Sequence, residues 1–153
     1  MQFDSFGNLT PYQIFEIDIT SFELFFVAKF GHSKTRRKIF TEYQNYVIQL
    51  HKLIGSDFYQ WINGSFVTEK LHPNDLDIVT FIDFKIYEEK IFELQKINSQ
   101  DLKRENSIDA YFVKVYPEEH PNYFITKFDI SEWTHLFSSN RKKENKGFIK
   151  IKF

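Results

Sequence analysis

Cysteine is absent from the 153 residues, which excludes disulfides, thiolate nucleophiles and cysteine-based zinc or iron–sulfur sites. Four of the histidines, His32, His51, His120 and His135, have no metal-ligand spacing, so a histidine zinc site is not expected either. An excess of one charge is also missing: 20 basic against 21 acidic side chains leave a net −1, which removes the simple case for a generally cationic nucleic-acid binder but not for a local basic site. The most apolar stretch, Phe22 to Phe30, is far short of the ~20 residues a bilayer span needs, and it contains Glu23 and Lys29. Met1-Gln2-Phe3-Asp4 places no positive charge before an apolar run, so no signal peptide is expected and a soluble, cytoplasmic protein is. Internal repeats, linkers and low-complexity tracts are lacking too, in keeping with only four prolines and five glycines.

Aromatic side chains are plentiful: 19 Phe, 8 Tyr and 2 Trp. At 42% hydrophobic residues the chain is too apolar for disorder, and Phe is expected in core positions that Leu and Val fill elsewhere. The length suits one domain, residues 1–153, with residues 1–20 as an extended lead-in.

Periodicity then orders the chain. Phe22, Phe25, Phe26 and Lys29 predict a short helix near 22–30, with Ser21 as its cap. Ile39, Phe40, Tyr43, Val47, Leu50 and Ile54 form one helical stripe over 34–54, between Ser33 as N-cap and Gly55 as stop. Residues 58–62 and 75–83 read as strands, 84–97 as a helix and 98–107 as a loop. A strand over 108–116, a helix over 122–137 and an edge strand over 147–153 complete an α+β domain, a small mixed sheet of about four strands flanked by helices.

Chemistry concentrates in residues 64–83, GSFVTEKLHPNDLDIVTFID. Strand alternation sends Asp75 and Asp77 to one side and Leu76 to the other. Two carboxylates ~5 Å apart at an effective dielectric of about 20 repel by roughly 3 kcal/mol, which a divalent cation between them would relieve. Hard oxygen ligands of this kind suit Mg²⁺ or Mn²⁺. Gly64 permits close backbone approach, Ser65 offers a hydroxyl, and the amides of Phe66, Val67 and Thr68 would point at an anion.

Gly-Ser, nine residues, then Asp-hydrophobic-Asp resembles the signature of DNA polymerase β-like nucleotidyltransferases, carried here by Gly64, Ser65, Asp75 and Asp77. The wider phrase with Lys70 and Pro73, and an ending with Trp133, Arg141 and Lys146-Gly147, also resemble a family of small, uncharacterised bacterial proteins with the minimal nucleotidyltransferase fold. Asn63 departs from the pattern, being polar where an apolar residue is usual. The resemblance implies a third carboxylate on a later strand, for which Asp109 is the candidate; Asp83 lies at the wrong end of its strand. It implies an NTP as substrate, metals held by Asp75, Asp77 and Asp109, and a triphosphate held by Gly64 and Ser65, with Lys70 and Arg141 as further nucleotide contacts. The acceptor would be a partner protein or an RNA such as a tRNA 3′ end, in a toxin–antitoxin or defence setting. The alternative is a catalytically inactive module that binds a nucleotide or partner. The basic residues of the runs Lys34–Lys38 and Arg141–Lys152 are expected to form one positive surface, suited to nucleotide phosphates or an RNA end.

Overall fold

The structure, a computed structural model, describes residues 1–98 and 107–153. Seven strands and five α-helices are formed among the described residues. Strands β1 (Gln2–Phe3) and β2 (Leu9–Thr10) make a small antiparallel hairpin. The main sheet has five strands in the order β3 (Ile14–Glu16), β7 (Phe148–Lys152), β4 (Phe58–Asn63), β5 (Leu76–Asp83) and β6 (Ile108–Val115). Its β3–β7 and β5–β6 pairs are parallel and the other two antiparallel, so the sheet is mixed, as expected, with one strand more.

The extra strand comes from the lead-in, and it changes the place of β7. The alternation of Phe148, Lys150 and Lys152 with Ile149 and Ile151 predicts an edge; instead β7 lies inside, covered by β3. Glu16 compensates the two lysines, with carboxylate oxygens 3.2 Å from Lys150 and 2.7 Å from Lys152.

One sheet face carries Ile62, Leu76, Ile78, Ile82, Ile108, Ile149 and Ile151, buried under α1 (Ile19–Phe26), α2 (Arg36–Ile54) and α4 (Ile91–Ile97). Helix α1 starts three residues earlier than its apolar spacing suggests, because Asp18, not Ser21, is the cap: its carboxylate accepts from the Ser21 amide at 2.6 Å. Helix α2 starts at Arg36 with Thr35 rather than Ser33 at its N-cap, although the Ser33 hydroxyl accepts from the amides of Thr35 and Arg36. Phe22 stacks on Phe66 at 5.7 Å, and Phe26, Phe40 and Tyr43 complete an aromatic cluster with no appreciable exposure. Each such ring contributes about 1.5–3 kcal/mol through burial. The single helix expected over 84–97 is two, α3 (Phe84–Glu89) and α4, broken at Lys90. The loop expected over 98–107 lies, apart from its two ends, outside the described residues.

The other face holds Trp61, Val79, Phe81, Val113 and Phe148 under α5 (Tyr123–Phe137), which adds Phe137, Trp133 and Ile130.

Arg36 is the largest polar side chain buried among the described residues. It belongs to a basic run expected on the surface, yet it is fully buried. Its guanidinium donates to the carbonyls of Phe26, Phe66, Thr68 and Lys70 at 2.6–2.8 Å and lies 3.8 Å over the Phe30 ring. Burial pushes its pKa down to about 10, still well above neutrality. Arg36→Met keeps the bulk and strands four buried carbonyls, so it should destabilise the fold by about 3–5 kcal/mol, read as a lower urea midpoint. A loss below about 1 kcal/mol would show that the segment 66–70 is held by packing alone.

Candidate active site

The seven residues singled out from the sequence line one cavity of about 1150 Å³: Gly64, Ser65, Lys70, Asp75, Asp77, Asp109 and Arg141. Strand register explains the convergence. Asp77, the second residue of β5, pairs with Asp109, the second residue of β6, and with Asn63, the last of β4. In parallel neighbours, register partners project to the same face, so Asp77 and Asp109 stand side by side at a strand spacing of ~4.8 Å. They continue the face that buries Val79, Phe81 and Val113. At its end the core gives way to acid.

Gly64 makes this junction possible. It has φ +84°, and a Cβ there would fall 2.9 Å from the Asp75 carbonyl oxygen and 3.0 Å from the Asp77 amide nitrogen. Only glycine adopts this backbone without strain while letting β4 end this close to β5.

Asp75 does not act as the simple companion of Asp77 that a two-residue spacing predicts. It precedes β5, and its Oδ1 accepts from the Ser65 amide at 2.7 Å. The Ser65 hydroxyl in turn accepts from the amides of Asn74 at 2.9 Å and Asp75 at 3.3 Å. Burial pushes the Asp75 carboxyl up, but the Ser65 hydroxyl and amide outweigh it, and with Arg141 and Lys70 they hold it below the ordinary value. The anion cradle expected from the Phe66 and Val67 amides is already used: these donate to the carbonyls of Asp75 and Gly64. Within this turn the anion on an amide is the chain's own carboxylate.

Cations surround the acids. Arg141, 99% exposed, reaches within 4.0 Å of Asp75 Oδ2, and at that exposure the pair itself adds little stability. It sits on a turn, residues 138–146, fixed from beneath: the Asn140 amide side chain donates to Glu144 at 2.6 Å and to Asn8 at 3.3 Å. Ser5 to Asn8 also line the cavity, so the lead-in builds part of its wall.

Lys146 is the site residue that sequence reasoning missed. It is 4% exposed, lines the cavity, and its Nζ donates to the Gly64 carbonyl at 3.2 Å. Burial pushes its pKa down to about 8 against the opposing pull of Asp77 and Asp75. Its position beside Gly147 was the available signal, hidden in a run that reads as a solvated basic tail. The other basic run does not join it, since Arg36 is buried and Arg37 pairs with Glu23. His72, in the segment between β4 and β5, accepts from the Lys34 amide at 3.1 Å.

Among the described residues, no three His, Cys, Asp or Glu side chains are grouped so as to hold a metal ion. The pair Asp77 and Asp109 nevertheless fits the donor set of Mg²⁺, which usually takes one or two carboxylates and completes its shell with water and substrate phosphates. Asp75 Oδ1 is engaged by the Ser65 amide, and its Oδ2 lies toward Arg141.

The chain belongs to a family of unknown function, DUF6932, which matches residues 1–152. Searches of curated proteins and of solved structures gave no match. Among the described residues no helix is long and apolar enough to cross a membrane.

The Lys146 environment sets a pH dependence. A base whose folded pKa is depressed binds fewer protons folded than unfolded between its two values, so stability rises with pH in that window. Wild type should therefore gain stability relative to Lys146→Met between pH 8 and 9.5, approaching an order of 3 kcal/mol by pH 10.5. Urea midpoints of the two proteins at matched pH measure this, and parallel curves would show that the ammonium is not desolvated.

Proposed function

We propose that the protein is a minimal, metal-dependent nucleotidyltransferase of the cytoplasm. It moves an NMP from an NTP onto a partner protein or an RNA acceptor, and releases pyrophosphate. The observation that carries this reading is the pairing of Asp77 with Asp109 at the sheet end where Gly64 and Ser65 close the neighbouring strand, inside one cavity that also receives Lys70 and Arg141. Mg²⁺ or Mn²⁺ held by Asp77 and Asp109, with Asp75 recruited from Ser65, would neutralise charge developing on the phosphates.

The residues divide the remaining work. Lys70 and Arg141 draw the triphosphate to the mouth, and Ser65 offers its hydroxyl to a phosphate oxygen. Asp109 takes the proton of the acceptor hydroxyl. The acceptor oxygen bonds to the α-phosphorus, and the bond from that phosphorus to the bridging oxygen breaks. Pyrophosphate leaves with the electron pair. The acceptor is a partner protein or an RNA end, in a toxin–antitoxin or defence pair.

A second reading, a catalytically inactive nucleotide- or partner-binding module, is favoured by one feature: Asp75 and Ser65 already satisfy each other. Asp77→Asn separates the two. It removes one negative charge and keeps size, so transfer of label from an α-³²P NTP to protein or RNA of a lysate should fall at least about 100-fold, with folding intact. Wild type should also melt higher with Mg²⁺ and NTP, by about 2.7 kcal/mol of stabilisation at 100 times Kd. A melting shift without labelling would select the binding module. Neither shift nor labelling would end the nucleotide reading.

A further inference from the structure

The cavity is not acidic throughout. Two residues beyond Asp109, on the same face of β6 and so ~6.6 Å along the strand, stands Tyr111. Its register partner Val79 is wholly buried, whereas Tyr111 is 41% exposed and lines the cavity beside the carboxylates. The ring rests against Trp133 at 4.9 Å, and Trp133 meets Phe137 edge-on at 5.5 Å. Phe137 is fixed in turn, since its carbonyl accepts from the Asn63 amide side chain at 3.0 Å and its ring abuts Phe148 at 5.6 Å. A chain of tilted and edge-on ring contacts therefore rises from the core and ends in an accessible ring beside the acid pair. Packing alone does not require an aromatic there.

A ligand that spans both regions needs an anionic end for Lys70, Arg141 and Lys146, and a flat aromatic end for Tyr111. A nucleotide has both. With its phosphates over Asp77 and Asp109, its base would lie about one ribose further along β6, over the Tyr111 ring.

We infer that Tyr111, backed by Trp133, is the platform on which the base of the bound nucleoside triphosphate stacks, and that the substrate is a purine nucleoside triphosphate. The two-ring base is chosen because stacking grows with the overlapping π-surface. This inference rests on the nucleotidyltransferase reading and adds the class of nucleotide to it.

Titration calorimetry of the full chain in Mg²⁺ tests it with three probes: ATP or GTP, CTP or UTP, and inorganic tripolyphosphate, which has no base. Wild type should bind the purine nucleotides at least about tenfold more tightly than tripolyphosphate, with pyrimidines between. Tyr111→Ala should erase the purine advantage and leave tripolyphosphate binding unchanged, which also reports an intact fold. Tyr111→Phe should keep the advantage. If purine nucleotides and tripolyphosphate bind wild type equally, or if Tyr111→Ala keeps the difference, the platform is overturned while the nucleotide site survives. If a short RNA loses affinity in Tyr111→Ala while ATP does not, the ring serves the acceptor and the assignment to the substrate base is overturned. If no probe binds wild type, the nucleotidyltransferase reading fails and the platform fails with it.

Discussion

Four backbone carbonyls converge on one buried guanidinium, and the site rests on that convergence. Phe26 ends α1, while Phe66, Thr68 and Lys70 follow the Gly64-Ser65 turn; Arg36 joins them from the first turn of α2. A segment that leaves a strand as a single 3-10 turn has few backbone partners of its own, and buried carbonyls without donors are costly. Arg36 supplies those donors in a fixed fork, which an ammonium could not do with the same geometry. The turn is thereby set against β5, and Ser65 is delivered to Asp75. Electrostatically the arrangement is a cation held by dipoles, so it places no counter-charge in the cavity and leaves the acids there to be balanced by Lys146 and ligands.

The second constraint is strand alternation. One face of β5 and β6 reads Asp77, Val79, Phe81 and Asp109, Tyr111, Val113, passing from water to core within three register steps. Because the strands are parallel and in register, Asp77 meets Asp109, Val79 meets Tyr111 and Phe81 meets Val113, so acid stands opposite acid while each aromatic ring stands opposite a valine. Helix α5 covers only the apolar part, and its last turn is anchored through Phe137 and Asn63. The cavity is what remains where the helix stops.

Much of this was legible in the sequence, for local reasons. The Gly-Ser and Asp-Leu-Asp spacing depends on one strand-turn-strand unit, and the shared face of Asp77 and Asp109 follows from a period of two, so the seven residues fall on one cavity, although Asp75 lies before β5 and turns to the Ser65 amide. The long stripe of α2 is equally local. What could not be read is non-local. Strand β3 has three residues, Ile14–Glu16, whose partner β7 is at the other end of the chain, so β7 looks like an edge when read alone. The break at Lys90 lies under an unbroken stripe through Tyr87, Ile91, Leu94 and Ile97, because each half keeps a helical period. Arg36 and Lys146 were hidden by their neighbours: a basic residue in a basic run gives no sign of which one turns inward.

The amide of Ser65 gives the last step. An empty anion site with donors aimed into a low-dielectric pocket would be unstable unless something occupied it, and here Asp75 does. The occupant is tethered one residue before β5, so it can exchange places with a phosphate without unfolding either strand. Such an exchange would free Asp75 toward Asp77 and Asp109 while the incoming phosphate brings both negative charge and the cation that travels with it. In the ligand-free chain the Ser65 amide and Arg141 engage Asp75, and the buried Lys146 ammonium faces both Asp77 and Asp75.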